Sequence, residues 1–129
     1  MKIIEIENHI KERCFDKSFN VESLSEELQV SESYLREIIN INYHCSPHHL
    51  IETIRLEKAI RLLADYDMNI YSVCANVGYA NLKTFRQAFK RRTGMSPKEF
   101  KGFIKQSNNV KGAIENTIEC LWRFSSPKS

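Results

Sequence analysis

Apolar residues recur at intervals of three and four along nearly the whole chain, the period of an α-helix. Ile3, Ile4, Ile10 and Cys14 predict an opening helix that ends near Phe15. Asn20 is placed to cap a short helix with Val21, Leu24 and Leu28 on its inner face. Ser31 can cap the next, with Tyr34, Leu35, Ile38 and Ile39 inward. Only Gln29 and Val30 separate these two helices, so the chain must turn a sharp corner, the geometry of a helix-turn-helix.

Ser46-Pro47 opens a long helix of about 17 residues with an apolar stripe of Leu50, Ile54, Leu56, Ala59, Ile60 and Leu63. At about 1.5 Å per residue it would be roughly 25 Å long. Asp65 to Asn69 breaks the period, and Asn69 can cap a short helix through Ile70, Val73, Cys74 and Val77. Gly78 follows at the position where a left-handed conformation is usual. Asn81 can cap a further helix with Phe85 and Phe89 buried and Gly94 at its end. Ser96-Pro97-Lys98-Glu99 then has the form of a capping box, for a last short helix anchored by Phe100, Phe103 and Ile104.

This grammar occurs twice. Leu24-x3-Leu28, a turn, Leu35-x3-Ile39 and Ser46-Pro47 match Val73-x3-Val77, a turn, Phe85-x3-Phe89 and Ser96-Pro97. The offset is 50 residues at Ile39/Phe89 and at Ser46/Ser96, with one extra residue in the second turn. The pattern predicts an all-α fold of two homeodomain-like three-helix units, about 1–46 and 65–105, joined by a linker helix over about 47–64. Within the remaining 106–129, Val110, Ala113, Ile114, Thr117, Ile118, Leu121 and Trp122 predict an amphipathic helix. It either packs back onto the domain or docks a partner with Trp122 as anchor.

With 4 Gly and 3 Pro in 129 residues, turn-rich β architectures are disfavoured. No segment has the apolar length to span a membrane, and Glu5 interrupts the first apolar run too early for a secretory signal. The four cysteines lie far apart with no C-x-x-C pair, which points to reduced thiols and a cytoplasmic location. The net charge of +3 hides an asymmetry: residues 1–79 carry 8 Lys/Arg against 13 Asp/Glu, and residues 80–129 carry 11 against 3. Lys83 to Lys98 holds six basic residues and no acid. Such a run either attracts a polyanion such as nucleic acid or is a solvated face.

Ile70, Gly78-Tyr79, Phe85, Phe89-Lys90 and Gly94-x-Ser96-Pro97, preceded by Leu24, Leu28, Val30-Ser31 and Tyr34-Leu35, resemble the DNA-binding domain of AraC/XylS-type bacterial transcription regulators. The resemblance implies a regulator that places two recognition helices in successive major-groove segments of double-stranded DNA. RNA polymerase is then an expected partner. Such a domain commonly accompanies an effector-binding, dimerisation or signal-receiver region, so the chain reads as a compact regulator or as the output part of a larger protein. The first unit departs from the pattern, with Ile39-Asn40 for Phe-Lys and His44 for the turn Gly. Its Glu22, Glu26, Glu27, Glu32 and Glu37 face one Arg36 between residues 22 and 37, a field that repels phosphate. The second unit is therefore expected to dominate affinity. A helical protein-interaction module that has lost specific reading is the alternative.

By position in the family motif, Leu82, Lys83 and Gln87 read bases on the second recognition helix, and Ser33, Arg36 and Glu37 on the first. Gln suits adenine and Lys or Arg suits guanine, whereas Glu accepts from cytosine. Arg86, Lys90 and Arg91 are phosphate candidates, with one of Arg91 and Arg92 expected to pair internally. Lys98 and His48, beside His49, stand at helix N-termini where a phosphate can sit. His44, Cys45, His48 and His49 lack the spacing of a structural zinc site, so no metal is expected. There is no nucleophile elbow, phosphate-cradling Gly loop or carboxylate pair, so neither an enzyme nor a cofactor is expected.

Overall fold

In a computed structural model that describes residues 1–65 and 68–123, every element is a helix. In chain order these are α1 (Ile3–Arg13), α2 (Val21–Leu28), α3 (Glu32–Tyr43), α4 (Pro47–Asp65), α5 (Ile70–Asn76), α6 (Leu82–Thr93), α7 (Pro97–Lys105) and α8 (Val110–Trp122). The expected break over 65–69 lies partly outside the described residues, as does the chain after 123.

Side-chain caps fix where the helices begin. Asn20, Ser31, Asn69, Asn81 and Ser96 each accept a hydrogen bond from the backbone N–H three residues on, at 2.8–3.1 Å. Each satisfies a donor that the first turn leaves open, worth about 1 kcal/mol. Glu99 Oε1 returns the favour to Ser96 N at 2.8 Å, completing the capping box.

The repeat seen in the sequence is a repeat of hydrogen bonds. Val30 N donates to Ser25 O at 3.1 Å, and 49 residues later Tyr79 N donates to Cys74 O at 3.2 Å. His44 N to Asn40 O and Gly94 N to Lys90 O are likewise equivalent, both 2.8 Å. The left-handed residues at these corners are Gln29 (φ 60°) and His44 (φ 59°) in the first unit, Gly78 (φ 94°) and Gly94 (φ 85°) in the second. The first unit thus keeps the left-handed turns without glycine, at about 1–2 kcal/mol for each non-Gly residue held there.

Each unit has its own core, and α4 runs through both. Leu50, Ile51 and Ile54 from its first half join Ile6, Ile10, Leu24, Leu35 and Ile39. Leu56, Ala59, Ile60 and Leu63 from its second half join Val73, Val77, Phe85, Phe89 and Phe100. Phe85, Phe89 and Phe100 form a chain of ring contacts with centroids 5.9 Å apart. Fully burying each such ring stabilises by about 1.5–3 kcal/mol. Two expectations change. On α1 the buried stripe is Ile6, Ile10 and Cys14, whereas Ile4 is 53% exposed, because a four-residue spacing from Cys14 selects Ile6. On α7, Phe103 is 47% exposed, since Phe100 and Ile104 already define the inner face.

The units are also bolted together by polar side chains of α4. Arg55 Nε donates to Cys14 O at 2.6 Å and its Nη2 to Phe19 O at 3.0 Å, holding the α1–α2 loop. The same guanidinium lies over the Tyr79 ring, 5.7 Å from its centroid, in the corner of the second unit. The tail helix α8 packs against α4, α6 and α7, burying Ile114 and Leu121, which is the first of the two alternatives for this segment.

Candidate nucleic-acid interface

The rotation of α6 follows from what it buries. Phe85, Ala88 and Phe89 are in the second core, which leaves Lys83, Thr84, Arg86, Gln87, Lys90 and Arg91 exposed and Leu82 half-buried at the start. The helix carries five basic residues and no acid. Arg86, Gln87, Lys90 and Arg91 line an open groove whose far side is Ser96, the cap of α7. A groove bordered by cations and a helix N-terminus is complementary to phosphate. Part of that terminus is taken: the Glu99 carboxylate lies on Ser96 N and is held below the usual carboxylate range by that N–H and by Lys90. Lys98, in the first turn of α7, is exposed.

The basic pair at the end of α6 behaves differently from the rest. Both arginines bond Glu52 of α4: Arg91 Nη2 to Oε2 at 2.7 Å, Arg92 Nη1 to Oε1 at 2.6 Å. Arg92 also donates to Thr53 Oγ1 at 2.7 Å and to Leu121 O at 3.1 Å. The sequence leads one to expect one arginine paired internally, but one carboxylate engages both because Glu52 offers two oxygens. Arg91 remains 61% exposed at its side chain and so still borders the groove.

On α3 the burial of Leu35 and Ile39 brings Ser33, Arg36 and Glu37 to the surface. The 50-residue offset makes them the counterparts of Lys83, Arg86 and Gln87. Where α6 continues with Lys90 and Arg91, α3 has Asn40 and the exposed apolar Ile41. The two faces share a shape and differ in charge. His48 is exposed in the first turn of α4, whereas His49 is half-buried and its pKa is pushed down by that burial and by Arg92. His49 is therefore a poor phosphate contact. Among the described residues no three His, Cys, Asp or Glu side chains are placed to hold a metal ion, and no helix is long and apolar enough to cross a membrane.

Glu52 and Arg55 are not among the candidates that the sequence pattern singles out. A signal was present: both interrupt the run Leu50-Ile51-Glu52-Thr53-Ile54-Arg55-Leu56, and charges inside a buried run need partners.

A family profile for a helix-turn-helix domain matches residues 24–102. The chain is 33% identical over 86 residues to the HTH-type transcriptional regulator AlkR of Acinetobacter baylyi, across 67% of this chain and 28% of that protein. With the arabinose operon regulatory protein of Escherichia coli the identity is 28% over 111 residues, across 81% of this chain and 38% of that one. The chain thus spans less than half the length of these curated relatives. Among solved structures, the C-terminal domain of AraT, a response regulator from Geobacillus stearothermophilus, matches with a TM-score of 0.75. The identity is 31%, over 78% of this chain and 84% of that one. With its two helix-turn-helix units and matched residues 24–102, the chain belongs to the AraC-type helix-turn-helix family of transcription regulators.

Proposed function

We propose that the chain reads double-stranded DNA with α6 and α3 in successive major-groove segments and so regulates initiation by RNA polymerase in a bacterial cytoplasm. In this reading Leu82, Lys83 and Gln87 meet base edges from the second unit (about 65–105), and Ser33, Arg36 and Glu37 from the first (about 1–46). Arg86, Lys90, Arg91, Lys98 and His48 contact phosphate. The observation that carries it is the α6 face: Lys83, Arg86, Gln87 and Lys90 are all exposed, on a helix with no carboxylate and a rigid aromatic back. The α3 face has the same geometry and opposing charges, which supports a specificity role for the first unit and an affinity role for the second.

Geometry limits how both can bind at once. The 19 residues of α4 span roughly 28 Å, and successive major-groove faces lie about 34 Å apart. Engaging both requires the angle between units to suit the groove or the DNA to bend, at about 1–6 kcal/mol. Selection of bound duplexes from a random library at two salt concentrations tests the reading. Two short sequence motifs about one helical turn apart are expected. One motif would restrict DNA reading to α6, and no enrichment would remove it.

A further inference from the structure

Residues Leu121 and Trp122, neighbours at the end of α8, face different units. Leu121 is buried in the second core with Ile114, whereas Trp122 packs against the first. The Leu121 carbonyl accepts from Arg92 in the last turn of α6. The Trp122 ring lies 6.1 Å, centroid to centroid, from Tyr43, the last residue of α3, and its Nε1 donates to Glu57 Oε1 of α4 at 2.7 Å. Tyr43 in turn donates its hydroxyl to Glu7 of α1, so its ring is held from both sides. One peptide unit of α8 therefore reaches the C-terminal ends of both recognition helices. None of α8 falls within the matched residues 24–102.

We infer that α8 is a strut that sets the angle between the two DNA-reading units, with Trp122 its positioning residue toward the first. The inference rests on the two-unit reading proposed above. Two linked reading heads bind a double site more tightly than either alone by an effective concentration, which is greatest when the link holds them at the spacing of the site. A strut at the ends of both recognition helices narrows the range of angles and hence the range of half-site spacings accepted. Loosening it lowers affinity for the matched double site and leaves each half-site contact intact.

The test combines a distance with a binding comparison on the full chain. Nitroxides are attached through introduced keto amino acids at Asn8 on α1 and Lys105 on α7, both exposed and outside the reading faces. The distance distribution is then measured by pulsed electron resonance. Trp122→Ala should broaden it markedly, whereas Trp122→Phe, which keeps a ring against Tyr43, and Glu57→Gln, which keeps an acceptor for the indole, should keep it narrow. On the selected duplex, Trp122→Ala should bind the double site about tenfold more weakly, leave binding to the α6 half-site unchanged, and flatten the penalty for a 5 bp insertion between half-sites. An unchanged distance width in Trp122→Ala, or equal loss on double and single sites, would overturn the strut. If the wild-type chain selects no double site, the two-unit reading fails, and the distance width alone still decides whether α8 fixes the units.

Discussion

Glu52 and Arg92, forty residues apart, form an ion pair 2.6 Å long with only 9% of either side chain exposed. It links the linker helix to the last turn of the basic recognition helix. Removing one partner of such a pair strands the other charge, at about 3–5 kcal/mol, because little water reaches it. Glu52→Ala should lower unfolding free energy by about that amount. Arg91→Ala, on the same carboxylate but largely exposed, should cost below about 1 kcal/mol. Urea denaturation of both variants checks the contrast. Because Arg91 serves Glu52 as well as the groove, its removal should reduce the salt dependence of DNA binding by less than removal of Lys90.

The glycines at the two corners of the second unit differ in what they require. A Cβ on Gly78 would lie 2.6 Å from Cys14 O and 2.9 Å from Arg55 Nε, in a backbone with φ +94°. The left-handed strain of about 1–2 kcal/mol adds to displacement of a charged hydrogen bond worth about 1.5–3. Gly78→Ala should therefore destabilise by about 3 kcal/mol or more. At Gly94 a Cβ meets nothing within 4 Å, so Gly94→Ala should show the strain alone. The counterpart His44 already bears that strain, and His44→Gly should raise the thermal midpoint. Thermal melts of the three variants give the order.

How legible was this in the sequence? The caps at Asn20, Ser31, Asn69, Asn81 and Ser96 were readable because each acts on a donor three residues away. Phe85 and Phe89 fixed the face of α6 for the same reason: four residues make one turn. The clamps Glu52–Arg92, Arg55–Cys14 and Trp122–Glu57 span 40, 41 and 65 residues and leave no periodic trace. Ile4 and Phe103 misled because two apolar residues competed for one buried stripe, and only packing chooses between them.

Stability should depend on pH through His49. Burial, then Arg92, pushes its pKa below the ordinary 6.5. Well above pH 6.5 the ring is neutral in both states and the pH has no effect through it. As pH falls, the unfolded chain takes up a proton first, so unfolding is favoured progressively from about 6.5 down to the lowered folded value. Urea midpoints should thus fall between pH 7.5 and 5.5, and His49→Gln should flatten the decline in that window. Glu27, held low first by Arg13 and then by His9, acts further down: its contribution is present above its unfolded pKa and lost as pH falls through its folded one.

The reading faces make separable predictions about DNA. Gln87 and Lys83 lie one turn apart near the N-terminal half of α6, and their substitution should act on particular base pairs. Gln87→Ala should relax preference at one pair by about 1–3 kcal/mol and leave the salt slope alone. Lys90→Ala should weaken every duplex alike and reduce the slope by about one if, as proposed, Lys90 neutralises a phosphate rather than reading a base. Glu37→Gln on α3 should do both: it removes a repulsive charge, raising overall affinity, and changes the base preferred in the first half-site. Titrations of each variant against the selected duplex and single-base changes, at two salt concentrations, sort the residues. A uniform loss from Gln87→Ala would move that side chain to the phosphate set, and an unchanged preference after Glu37→Gln would take α3 off the bases.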